Sequence, residues 1–491
     1  MARMLPAAAM LAVGLLAGVA QAKDTLVLGM QLEPPNLDPT AGAAAAIREV
    51  TYANIFQGLT RIDRDGRVQP ALASSWTVSP DGLAYTFKLA PNARFHDGAA
   101  FDCNVVKFSY DRAVAPDSVN AQKGLFEPIL RTECPDPHTA LVTLKHPSAL
   151  FLFDMGWGDA VMVSPATAAG NRTHPVGTGP FRFRRWVQGD RVELERNPAY
   201  WGTAPKLAAV TFRFVADPAA ATAAMLAGDI DAFSNFPAPE ALDQFRADPR
   251  FAVRVGTTEG KTILALNEAR KPFDDVRVRR ALAYAIDRAA LIEATESGFG
   301  EPIGSHYVPT DPGYVDLTGA YPYDPAKARA LLAEAGVKPG FKLTIMLPPP
   351  SYARKGGEVV AAMLEQVGIK VALVPIEWAQ WIDQAFLRGD YDATIISHTE
   401  PRDLDIYARE KYYFNYRNPD YRALFQKYVG TVDPQAQSAL LGDLQRKLSA
   451  DAANVFLFAL PKIGVAAAKL HGLWDNDPVP ANDVGGVSWG D

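Results

Sequence analysis

The chain has 491 residues, 48% of them hydrophobic and 21% charged, with a formal net charge of −6. That length exceeds what one hydrophobic core serves and implies two or three domains. The mild acidic excess, with no basic cluster, argues against nucleic acid and anionic membranes as partners.

At the start, Arg3 precedes an apolar, alanine-rich run that ends in Ala20-Gln21-Ala22, a small-residue cleavage pattern. Residues 1–22 are therefore expected to be a secretory signal peptide, with the mature chain beginning at Lys23. The run is too short for a membrane anchor, and no cysteine stands at the cleavage point to carry lipid. A protein released into the periplasm is the expectation. Only two cysteines occur, Cys103 and Cys134. An oxidising compartment favours a disulfide between them, with two buried thiols as the alternative.

Residues 25–30 (TLVLGM) read as a buried strand running into a proline turn. Residues 61–165 carry short alternating segments, 84–89 and 140–144 among them, split by Asn, Asp, Pro and Gly. They are expected to form a β-rich subdomain. In 174–202 (HPVGTGPFRFRRWVQGDRVELERNPAYWG), apolar Phe181, Phe183 and Val187 interleave with arginines, and Val192 and Leu194 with glutamates. Gly189-Asp190 breaks the run, so the segment reads as a hairpin. Gly177, Gly179 and Pro180 ahead of it read as a turn that needs positive φ. Residues 218–227 form a helix stopped by Gly228, and 230–234 the following strand.

Beyond Asn267, Asp274 or Asp275 caps a helix with Val278, Leu282, Ala285, Ile286 and Ala289 on one face. Asp324-Pro325 opens another, closed by Gly336. Strand 342–347, helix 357–367, strand 370–375, helix 378–387 and strand 392–397 follow. That alternation predicts a parallel sheet with right-handed crossovers. In such sheets ligands sit beyond the carboxyl ends of the strands. Three loops qualify: 398–405 (HTEPRDLD), 235–237 (NFP) and 348–354 (PPPSYAR).

The block 174–202 resembles, nearly residue for residue, the motif of the family 5 extracellular solute-binding proteins, the peptide, nickel and opine receptors of bacterial ABC importers. EPPNLDP (33–39), RFHDG (94–98), MLAGDID (225–231), LALNEARKPFDDVRVRRALAYAIDR (264–288) and YDPAKARALLAEAG (323–336) extend the likeness along most of the mature chain. The resemblance implies an α/β, two-lobed periplasmic-binding-protein fold of type II with an extra β-rich subdomain. Residues 23–60, 166–265 and 471–491 would form lobe I, 61–165 its subdomain, and 266–470 lobe II. Crossovers near 264–267 and 470–474 are expected to be the hinge.

The resemblance also implies an aspartate in the 398–405 loop that holds a peptide's amino group. Glu400, Asp403 and Asp405 are the candidates, suited to charge-assisted hydrogen bonds with an ammonium. His398 stands where relatives often carry tryptophan, which points to a more polar ligand. Leu347 or a proline stands where dipeptide-binding relatives clamp a carboxylate with arginine; Arg354 is the nearest substitute, so a plain dipeptide is disfavoured. Asn235, Trp157, His306, Tyr307 and Tyr352 are secondary pocket candidates, with Asp159 beside Trp157. Trp378 and Trp381 read as core.

Catalysis is not expected. GVSWG (486–490) matches a nucleophile elbow, but only Asp491 follows it, leaving no acid or histidine in order. Seven scattered histidines make an all-protein metal cage improbable, and no cofactor is expected. The sequence thus predicts a monomeric receptor for a short peptide or peptide-like amine that delivers to an ABC permease and ATPase. An opine, chelated nickel, or a sensing role are the alternatives.

Overall fold

The computed structural model describes residues 23–490. The signal-peptide assignment at residues 1–22 lies outside them. Among the described residues no helix is long and apolar enough to cross a membrane.

Two long antiparallel strands, Phe251–Leu266 and Val455–Ala467, form the spine of the molecule. On one side of this pair lie Ala232–Phe233, Thr25–Met30, Ala209–Phe214, Arg191–Arg196 and Phe181–Val187, in that order. On the other lie Ala393–His398, Phe341–Leu347 and Ile369–Pro375. The last three are mutually parallel, as their connection by helices requires. The Phe251–Leu266 strand ends at Leu266, within the 264–267 stretch where the sequence suggests a crossover. Its first half pairs only with Val455–Ala467, while Lys261–Leu266 also pairs with Ala393–His398. The register shifts between Thr257 and Lys261, so the spine is irregular where the two halves of the sheet meet. Residues 470–474 contribute only the two-residue strand Leu470–His471 beside Ser488–Trp489.

A separate antiparallel sheet, Ala73–Val78, Ala84–Leu89, Thr139–Leu144 and Ile129–Asp136, forms a β-rich unit. Helix Cys103–Val114 packs on it, and Cys103 is disulfide-bonded to Cys134 with Cα atoms 5.5 Å apart. Each region buries its own core: Leu28, Phe181 and Phe212 in the first half, Phe87, Tyr110 and Phe126 in the β-rich unit, Leu282, Ile345 and Val360 in the second half.

The helix caps follow the sequence signals. Asp217, Asp275 and Asp324 each accept a backbone N–H of the first turn, and Gly228 ends its helix at φ 81°. The hairpin forms as expected, with Gly189 at φ 74°. Gly177 and Gly179 act differently from expectation, because neither has positive φ. A Cβ on Gly177 would lie 1.9 Å from the carbonyl oxygen of Ile55, and one on Gly179 2.3 Å from that of Asn54. Close backbone approach, not chirality, demands glycine there. The helix expected at 357–367 begins earlier, at Ser351. Gly357 is not a breaker; it lets the helix close onto the Leu347 side chain, which a Cβ would meet at 2.5 Å.

Candidate ligand-binding cleft

The carboxyl end of the Ala393–His398 strand opens onto a cavity of about 590 Å³ between the two halves of the molecule. One wall comes from the β-rich unit through Gln122, Leu125, Leu150 and Asp154. The other is the loop 397–406 with Trp378, Phe386, Arg409 and Tyr412. This volume lies in the range of small-molecule sites. A smaller cavity of about 220 Å³ lies beyond strands Thr25–Met30 and Ala232–Phe233, lined by Gln31, Glu49, Asn235, Lys462 and Asp477. Both obey the strand-end rule; the larger one joins the two halves and holds more of the candidate loop.

His398, Glu400, Asp403 and Asp405 all reach the larger cavity, but their chemistry differs. Asp403 is buried in a network of the protein's own groups. The ammonium of Lys261, fully buried on the spine, lies 3.1 Å from its Oδ1 and also donates to the Glu400 carbonyl at 2.6 Å. His306 Nε2 lies 3.3 Å from Asp403 Oδ2. A carboxylate only accepts, so that nitrogen carries the proton and Nδ1 accepts from Tyr407 at 3.1 Å, while Asn454 donates to the Tyr407 oxygen at 3.0 Å. The cations and hydrogen bonds around Asp403 outweigh the cost of burial, so its carboxyl stays well below the usual range. His398 is 2.8 Å from the Tyr413 hydroxyl, and burial lowers its imidazole to about 3, leaving it neutral. Asp405 is held by Arg409 at 2.7 Å.

His306, His398 and Asp403 present ligand atoms within 4.8 Å of one another, a donor set that could chelate a transition metal. Here the Lys261 ammonium already fills the cation's place, and both ring nitrogens of His306 are engaged. The arrangement is a closed polar network.

The other sequence candidates separate. Tyr307 is buried in the core behind the loop. The Tyr352 hydroxyl accepts from Ser397 N at 3.2 Å and so braces the loop from behind. Arg354 pairs with Glu377 at 3.1 Å and lines neither cavity, so it offers no replacement for the missing carboxylate clamp. Trp157 packs on Phe153 in a core cluster, and Asp159 is paired with Arg48. Asn235 lines the smaller cavity. Trp381 is buried as expected but also lines the larger cavity, and Trp378, 41% exposed, joins it and Phe386 in an aromatic face there. Trp378 lies on the α-helical turn Trp378–Trp381 and Phe386 on the π-helical turn Ile382–Leu387 that follows it.

Arg402 ties the two halves together. It sits at φ 58°, donates to the Gly66 carbonyl at 2.6 Å, and lies 3.8 Å over the Phe153 ring. Gly66 and Phe153 belong to the first-half wall and Arg402 to the second, so the cleft is closed in this structure.

Residues 67–418 match the model of the bacterial extracellular solute-binding proteins, family 5. The chain belongs to this family. Family 5 membership agrees with the sequence of motifs and with the two-lobed α/β architecture. Among curated relatives, the glutathione-binding protein GsiB of Pectobacterium atrosepticum is 33% identical over 96% of this chain and 95% of its own. Among solved structures, HbpA2 from Haemophilus parasuis superposes with a TM-score of 0.86 at 23% identity, covering 95% of this chain and all of the other. The periplasmic binding protein DppA from Helicobacter pylori, solved with the peptide STSA, gives 0.76 at 25% identity over 95% of this chain and 98% of its own.

Proposed function

We propose that this family 5 protein works in the periplasm, where it captures a short peptide or peptide-like amine between its lobes and presents it to the permease and ATPase of an ABC importer. The observation that carries the reading is the 590 Å³ cavity shared by both lobes, with carboxylates on both walls and an aromatic face beside them. Such a site buries a zwitterionic, partly apolar molecule and draws its affinity from closure. The glutathione-binding relative and the peptide-bound neighbour support the same ligand class. The hinge is assigned to the irregular stretch Thr257–Lys261 and the facing residues 459–461, where the two long strands pass from lobe to lobe. Closure then reports the loaded state to the permease, and no bond-making chemistry is needed.

Native mass spectrometry of protein isolated from its own periplasm tests the cargo. A released peptide of a few residues is the expected result. A metal chelate or an opine as the bound species would overturn the peptide reading.

A further inference from the structure

Four carboxylates line the larger cavity: Asp154, Glu400, Asp403 and Asp405. Asp403 is committed to Lys261 and His306, and Asp405 to Arg409. Glu400 is exposed to solvent, where a charge contact contributes little. Asp154 differs from all three. It ends the short helix Phe151–Asp154 on the first-lobe wall, across the cavity from the loop 398–405, and its carboxylate has no hydrogen bond or ion pair among the described residues.

We infer that Asp154, not the aspartate of the 398–405 loop, is the carboxylate that binds the cargo's ammonium group. This rests on the peptide-amine reading given above and names the residue and wall that carry it. Lys261 supplies an internal ammonium to Asp403, so a second ammonium at that carboxylate would meet like charge. Asp154 has no such directly bonded cation. Arg402 acts on it only through space, its own hydrogen bonds going to the Gly66 carbonyl and to Asp311 at 3.5 Å and its guanidinium lying over the Phe153 ring.

Burial pushes the Asp154 carboxyl up to about 8, against the pull of Arg402 and with a further push from Asp405; the Tyr428 hydroxyl also faces it. An uncompensated carboxylate in a closed cleft behaves this way, and a cation placed beside it would restore the ionised form. Cargo that brings an ammonium to this side chain therefore lets the cleft close with Asp154 ionised at neutral pH. The placement also gives cargo a part in closure: its amine pairs with lobe I while its apolar part meets Trp378 and Phe386 of lobe II.

The test is calorimetry at pH 7 with two probes, reduced glutathione and tri-alanine, and with N-acetylated tri-alanine as the amine-free control. The proteins are the parent, Asp154→Asn, Glu400→Gln and Asp403→Asn, each checked for its unliganded melting temperature. Whichever free-amine probe binds the parent should lose about 30-fold or more in affinity to Asp154→Asn and only a few-fold to Glu400→Gln. N-acetylated tri-alanine should bind the parent about as weakly as tri-alanine binds Asp154→Asn, a readout that a merely structural role would not move. Equal affinity in parent and Asp154→Asn overturns the assignment to Asp154 while leaving the peptide reading intact. Binding of the acetylated probe as tightly as the free amine also overturns it. Failure of every free-amine probe to bind the parent overturns the peptide reading and this inference together.

Discussion

Lys261 is the residue whose meaning most depends on the fold. In the sequence it is one cation in the run GTTEGKTILALN; in the structure it is fully buried and joined to Asp403 at 3.1 Å. A buried ion pair adds little over an apolar pair of the same size, but removing one partner strands the other. Lys261→Met should therefore cost about 3–5 kcal/mol of stability, while Lys261→Met combined with Asp403→Asn should recover much of that loss. Urea denaturation of the two variants measures both; equal losses would show that the pair is not coupled. The strand-end rule led to the loop 398–405 from sequence alone, and that loop does line the cavity. Which carboxylate remains free was not legible, because Lys261 and His306, which commit Asp403, come from separate elements. Asp154 lay on a short apolar helix and gave no sequence signal.

At the scale of elements, local signals were read well where a helix cap fixed them, though the turn at Gly177 and Gly179 was not. Asp217, Asp275 and Asp324 cap their helices, and strands Thr25–Met30 and Ala84–Leu89 occupy the expected residues. Elements were misread where packing overrides propensity: Gly357 lies inside a helix because Leu347 presses on it, and the π-helical segment turns Phe386 into the cavity. The long strands could not be divided by pattern, since a strand buried along its length shows no break at a lobe boundary. The disulfide belongs to this scale. Cys103 and Cys134 are separated by 31 residues, and chain entropy gives about 3–4 kcal/mol for a loop of that size. Replacing both by serine should lower the unfolding free energy by that amount in denaturant titration, and an unchanged midpoint would refute the estimate.

For the whole molecule, closure is coupled to pH through Asp154, the partnerless carboxyl in the cleft. Burial pushes it up to about 8 in the closed form. Exposed in an open cleft, it would titrate near 4. The closed form thus binds more protons than the open one between those limits. Its advantage is fully present below about 4 and is lost as pH rises through 8. Unliganded protein should accordingly show a larger radius of gyration by small-angle scattering at pH 9 than at pH 6. Asp154→Asn should flatten that difference, and an unaltered pH response in the variant would contradict the assignment.

A receptor that closes two lobes over cargo must protect both walls and the hinge at once. Hydrogen–deuterium exchange comparing protein purified with its native cargo against the same protein stripped of cargo and refolded measures this directly. Simultaneous protection of residues 122–125, 150–154, 397–412 and 257–261 on loading is the expected result. Protection confined to one wall, or placed outside the cleft, would contradict capture between the lobes.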